Sequence, residues 1–165
     1  MEIRVVNGVG EGHTELSAFD AALKGSGVYN YNLLYLSSVI PSGATVKEVG
    51  TLYDMEGAIG DRLYVVMAEE RGHRPGETIG AGIGWYQFGL EGGFFVEHHT
   101  KGDSPVEVRE RLEYLIEYSI RDLCAFRDKP FQKEKLHHNL SITTIQNKPA
   151  CAMVLAVFEH ETWNT

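Results

Sequence analysis

Between Thr78 and Phe88 the chain reads Thr-Ile-Gly-Ala-Gly-Ile-Gly-Trp-Tyr-Gln-Phe, an apolar strand with glycines at 80, 82 and 84. Side chains alternate between faces along a strand, so this spacing leaves one face bare. A bare face is useful only where another backbone packs closely against it, which calls for a layered fold. The same glycines do not make a phosphate loop. Their spacing is wrong for a dinucleotide fingerprint, and no capped helix follows directly.

The most sharply defined helix runs from Ser104 to about Arg127. Ser104, Pro105 and Glu107 form a capping box with proline at the first helical position, and Val108, Leu112, Leu115, Ile116, Ile120 and Leu123 recur at helical spacing. A shorter helix begins at the N-cap Thr14, places Leu16, Phe19, Ala22 and Leu23 on one face, and stops at Gly25 and Gly27. Asp20 lies inside it, beside the apolar stripe. Strands are predicted over Ile3–Val6, Asn32–Ile40, Arg62–Glu69 and Phe94–His99. Asn139–Ile145 and Ala150–Phe158 read as a hairpin turning at Asn147-Lys148-Pro149. The glycine-rich Asn7-Gly8-Val9-Gly10-Glu11-Gly12 reads as a loop. The order β, α, several β, α, β, β predicts a layered α+β sandwich in one domain, without repeats or linkers.

The 165 residues carry 15 Lys and Arg against 23 Asp and Glu, a net charge of −8. That balance suits a cationic ligand and argues against nucleic acid, whose phosphates need clustered bases. No apolar run reaches the roughly 18 to 20 residues that span a bilayer. Met1-Glu2-Ile3-Arg4-Val5-Val6 lacks the regions of a signal peptide, so a cytoplasmic protein with no membrane partner is expected. Cys124 and Cys151 sit among apolar residues and read as buried free thiols. His98-His99 and His137-His138 point to opposite faces of their strands and show no carboxylate partner in register, so no metal site is expected. His13 reads as an exposed loop residue. A domain this small leaves little room for a bulky cofactor with its own binding module.

Ser37-Ser38 stands inside an apolar run that Pro41-Ser42-Gly43 stops. One reading is two strand serines bonded to backbone. The other is a hydroxyl at a strained strand end that attacks the preceding carbonyl, giving an ester that then breaks.

The surrounding residues bear on that choice. Glu11-Gly12-His13-Thr14-Glu15-Leu16-Ser17-Ala18-Phe19-Asp20-Ala21-Ala22-Leu23, then Asn32-Leu33, then Ser37-Ser38-Val39-Ile40-Pro41, closely resembles the pyruvoyl-dependent arginine decarboxylases. Pro75-Gly76-Glu77-Thr78-Ile79 is similar to that family's turn into a central strand, and Phe95-Val96-Glu97 to its acid strand. The resemblance covers most of the chain. It implies a four-layer αββα sandwich of the pyruvoyl-dependent histidine and arginine decarboxylase type, assembled as a trimer or dimer of trimers with active sites between subunits.

It also implies self-cleavage. Ser38 would attack the Ser37 carbonyl, and elimination and hydrolysis would leave a β chain of residues 1–37 and an α chain of residues 38–165 beginning with a pyruvoyl group made from Ser38. That group would form a Schiff base with L-arginine and release CO2 and agmatine. Glu97 matches the proton donor, and Phe94, Phe95 and Val96 around it favour a desolvated carboxyl of raised pKa. Read without the resemblance, Glu97 could equally be an exposed, ion-paired strand residue. Asn32 matches the asparagine that positions groups, its amide suited to a developing oxyanion. Asp20 matches the guanidinium-binding carboxylate; otherwise it is a solvated helix residue. Leu16, Leu23 and Val39 would line the slot for the substrate's methylenes, with Ser37 beside the pyruvoyl group.

Tyr29 and Tyr31 depart from the family, which more often carries small or aliphatic residues there. Both would line the substrate site: contact through their backbone carbonyls alone leaves function intact, whereas rings pointing inward would shorten the pocket and alter specificity. Other basic amino acids, an N-terminal serine hydrolase and an uncut assembly module are the competing readings.

Overall fold

The computed structural model describes residues 1–163. They form an α+β fold of two sheets and two α-helices. One sheet contains β1 (Glu2–Glu11), β2 (Asn32–Tyr35), β4 (Thr45–Gly50), β5 (Arg62–Gly72) and β9 (Ala150–Glu161), in the order β2-β5-β9-β1-β4. The other contains β3 (Val39–Ile40), β6 (Thr78–Gln87), β7 (Gly93–Gly102) and β8 (His137–Thr144), in the order β3-β7-β6-β8. The helices are α1 (Glu15–Ser26) and α2 (Pro105–Ala125).

Strand alternation divides the apolar residues among three large clusters and a small fourth one of Ile79, Ile145, Ala150 and Ala152. Ile3, Val5, Val66 and Val154 of the five-stranded sheet meet Ala81, Ile83, Trp85 and Phe95 of the four-stranded one. Ala18, Ala22 and Leu23 of α1 pack on Val6, Leu63, Val65 and Met153. Ile116, Ile120 and Cys124 of α2 pack on Tyr86, Phe94 and Val96. Each fully buried aliphatic side chain contributes about 1.5–3 kcal/mol of transfer free energy. Both cysteines are buried and free.

The helices begin and end as their residues direct. Thr14 and Ser17 form a reciprocal capping box on α1, and Gly27 closes it at φ 84°, a left-handed conformation suited to glycine. On α2, Ser104 Oγ accepts from Glu107 N–H at 3.2 Å. Glu107 Oε2 accepts from Asp103 N–H at 2.8 Å instead of closing the box on Ser104.

Four expectations change. The bare face of β6 receives side chains from α2, not backbone: a Cβ at Gly84 would lie 2.2 Å from Ile116 Cγ2, and one at Gly80 2.4 Å from Val108 Cγ1. The Asn7–Gly12 segment is mostly strand, since β1 stays paired with β9 through Glu11↔Ala150. Its glycines are required by close approach, a Cβ at Gly10 falling 2.2 Å from Ala22 N and 2.5 Å from Ala18 O. Asn32–Ile40 is not one strand: β2 runs parallel to β5 in one sheet, whereas β3 pairs antiparallel with β7 in the other. The late hairpin is likewise divided, because β8 pairs with β6 and β9 pairs with β1 and β5. In both cases the connecting residues cross from one sheet to the other.

No helix among the described residues is long and apolar enough to cross a membrane.

Candidate active site

The crossing from β2 to β3 carries Ser37 and Ser38. Leu36 N–H donates to Val65 O at 2.9 Å, which ties the near side to β5. On the far side Val39↔Phe94 and Ile40↔Gly93 form β3 against β7, and Phe95 N–H donates to Ser38 O at 2.8 Å. Held at both ends, Ser38 adopts φ 67°. A serine there carries backbone strain that glycine would not, of order 1–3 kcal/mol.

Ser38 Oγ donates to Glu97 Oε1. Glu97 stands on β7 opposite Ile83 of β6, two residues past the Phe95 amide that anchors Ser38. It is half-buried. Burial raises its carboxyl pKa above the ordinary range, opposed by the Ser38 hydrogen bond, which lowers it. Glu97 lines a cavity of about 380 Å3 with Phe95, Val96, Leu123 and Phe126. A carboxyl so placed can keep its proton nearer neutrality and deliver it to an adjacent atom.

The neighbouring histidines separate as strand geometry requires. His98 Nε2 meets Ser119 Oγ of α2 at 2.8 Å, whereas His99 Nδ1 meets Glu70 Oε2 of β5 at 2.7 Å. His138 Nε2 lies 3.7 Å from Glu113 Oε1, and His137 stacks on Trp85. Each pair therefore does have one carboxylate partner, from an element the sequence could not place beside it. Among the described residues no three His, Cys, Asp or Glu are grouped to hold a metal ion.

The remaining site residues flank Ser38 or lie on α1, β2 and the turn between them. Val39 follows Ser38 and is 59% exposed; Ser37 is exposed as well. Asp20 and Leu16 are exposed on α1, Leu16 at 70%. The Asp20 side chain has no hydrogen-bond or ionic partner among the described residues. Leu23, at 7%, belongs to the core beneath α1. Asn32 is exposed at the start of β2, where its Nδ2 donates to Gly60 O at 2.6 Å. Tyr29 is 40% exposed. Tyr31 turns its ring into the α1 cluster and donates its hydroxyl to Glu56 O at 3.2 Å. One chain thus joins Ser38 to Glu97, and carries Asp20, Leu16 and Asn32 on exposed surface outside the Glu97 cavity. The Gly60 carbonyl beside Asn32 has no sequence signature beyond a glycine in a loop.

A strained serine set against a half-buried carboxyl, on a two-sheet α+β fold, fits the pyruvoyl-dependent decarboxylases as a class. Comparison with known proteins makes the class specific. The pyruvoyl-dependent arginine decarboxylase family profile matches residues 2–162. A protein named pyruvoyl-dependent arginine decarboxylase from Halobacterium salinarum is 40% identical over 110 residues, covering 67% of each chain. One from Thermoplasma volcanium is 30% identical across 99% of this chain and 91% of its own. Another from Thermococcus kodakarensis is 32% identical across 89% and 87%. The chain belongs to the pyruvoyl-dependent arginine decarboxylase family. Membership implies a covalently bound pyruvoyl group.

Proposed function

We propose that this protein decarboxylates L-arginine to agmatine and CO2, using a pyruvoyl group that it makes by cutting itself between Ser37 and Ser38. The observation that carries the reading is the contact between Ser38 and Glu97. In the cut, Ser38 Oγ adds to the Ser37 carbonyl and displaces the Ser38 nitrogen, giving an ester. Loss of the Ser38 α-proton releases the Ser37 carboxylate and leaves a dehydroalanine, and water then replaces its nitrogen, releasing ammonia. The products are chains 1–37 and 38–165.

The residues present fit the group. Ser38 supplies its three carbons, the Phe95 amide holds the adjoining carbonyl, and Glu97 lies against the side chain. Once formed, the group supplies a ketone that captures the substrate amine and an electron sink for decarboxylation. Glu97, its pKa raised by burial, holds the proton that returns to the substrate Cα. Asp20, exposed and without a partner among the described residues, is free to accept two parallel hydrogen bonds from a guanidinium. A net charge of −8 favours approach of a cation.

Because Asp20, Leu16 and Asn32 stand apart from the Glu97 cavity, the reading includes a homo-oligomer, a trimer or dimer of trimers, in which one subunit's α1 and β2 face another's Ser38 and Glu97. The placement of α1 on one sheet and α2 on the other supports the four-layer αββα arrangement. Tyr31, partly buried with its ring packed against the α1 cluster, supports a slot that this ring does not shorten.

Intact-mass measurement of the purified protein is the test. Two chains, the larger lighter by one ammonia than a serine-initiated 38–165, support the reading. An unmodified serine terminus points to a hydrolase, and a single uncut, inactive chain overturns the proposal.

A further inference from the structure

Asn32 is held by a group that lies 28 residues away in sequence. Its Nδ2 donates to Gly60 O at 2.6 Å, and the same carbonyl accepts the indole Nε1–H of Trp163 at 2.7 Å. The Gly60 N–H donates to Asn30 O at 2.7 Å, and Asn32 N–H donates to Asp61 O at 2.8 Å. Both backbone faces of Gly60 are thus engaged with the turn that presents Asn32. Gly60 has φ 89° and Asn30 φ 73°, so this turn is built from two left-handed residues that lock together.

The tail is clamped to the same rung of the sheet. Arg62 is the residue in register with Asn32 across β2 and β5. Its guanidinium lies 4.4 Å from the Trp163 ring centroid, donates to Thr162 O at 2.9 Å, and pairs with Glu161 at 3.2 Å. Trp163 itself is 61% exposed, so core packing does not account for its position. It stands one residue past the segment that the family profile matches.

The chemistry of the shared carbonyl settles which way Asn32 faces. Gly60 O can only accept, so the atom aimed at it is Nδ2, and Oδ1 points away as an acceptor. One of the two amide protons is spent on the protein. Where the sequence suggested an oxyanion donor, Asn32 thus offers outward the acceptor Oδ1, suited to an ammonium or guanidinium N–H, with one Nδ2 proton left over.

We propose that Trp163 is a positioning residue for Asn32, acting through the Gly60 carbonyl that the two side chains share. This rests on the reading that Asn32 serves the decarboxylase site. Removing the indole donor frees the carbonyl to rotate and with it the direction in which Asn32 presents Oδ1.

The test is a double-mutant cycle on the full-length, self-processed enzyme. Trp163→Phe keeps an aromatic ring beside Arg62, though a smaller one, and removes the N–H donor. It should lower kcat/KM for arginine about three- to tenfold, the range that one hydrogen bond can set, and shift the Asn32 side-chain amide resonances in a 15N spectrum. In an Asn32→Ala background the same substitution should change nothing further. Multiplying effects, or an Asn32 amide signal that does not move, would overturn the proposal while leaving the decarboxylase reading intact. An Asn32→Ala enzyme as active as the parent would remove Asn32 from the site and this proposal with it. Uncut parent protein would overturn the underlying reading instead.

Discussion

Replacing Glu97 by Gln separates the proton from the shape of the site. Glutamine keeps an oxygen able to accept from the Ser38 hydroxyl and occupies nearly the same volume, so the anchoring of Ser38 by Phe95 and the φ 67° backbone should persist. Only the transferable proton is lost. A positioned general acid contributes about 100- to 10,000-fold, or about 3–5 kcal/mol of barrier. As the proposed acid, Glu97 is assigned a loss in that range, a role that its half-buried carboxyl of raised pKa supports. The variant should therefore appear as two chains by intact mass and bind arginine, while CO2 release falls by at least two orders of magnitude. Stability, compared in the uncut Ser38→Ala background where unfolding involves one chain, gives an independent reading. Above the unfolded value of 4.5 and up to its raised folded value, the native Glu97 holds more protons than the unfolded chain does. Its favourable contribution is thus full below 4.5 and is lost as pH rises through the folded value. Glutamine has no such dependence, so at neutral pH the variant should melt no lower than the parent, and any advantage should vanish below 4.5. Turnover within threefold of the parent would eliminate Glu97 as the acid. An uncut variant would place it in chain cleavage instead.

Ser38→Ala should yield a single chain of 165 residues with no turnover, and a cut chain from this variant would move the cleavage site. Asp20→Asn should leave cleavage unchanged and raise KM for arginine about 10- to 100-fold, as expected for loss of a charged hydrogen-bond partner; an unchanged KM would contradict the guanidinium role. Gly10→Ala drives a methyl into the α1 backbone, 2.2 Å from Ala22 N, and, measured in the uncut Ser38→Ala chain, should cost about 3 kcal/mol by urea denaturation. An unshifted midpoint would show that α1 can lift away freely.

The helices and the chemically distinctive residues were legible because their signals are local. Thr14, Ser104 and Pro105 mark helix starts, and the glutamate at 97 among aromatics points to desolvation. The strands misread were those whose partners are distant. Gly8 and Gly10 resemble a loop until α1 is laid on them. The apolar run through Asn32–Ile40 carries no mark that its halves join different sheets, and the Asn147–Pro149 turn carries none that it separates β8 from β9. The partners of His99 and His138 likewise arrive from β5 and α2. The hold on Asn32 was invisible for the same reason, because Gly60 and Trp163 meet it only through tertiary structure.

The position of β1 between β9 and β4 has a consequence for how the molecule ages. A cut after Ser37 would give the short chain β1, α1 and β2, so the longer chain would lose an interior strand and one whole helix on separating. The two products would stay together because neither buries its apolar surface alone. Once denatured, however, refolding would become a reaction between two molecules, and the ester chemistry that produced the electrophile does not rejoin them. Activation would thus exchange a reversible folding problem for a kinetic one. The processed enzyme would last as long as its first unfolding event takes to arrive.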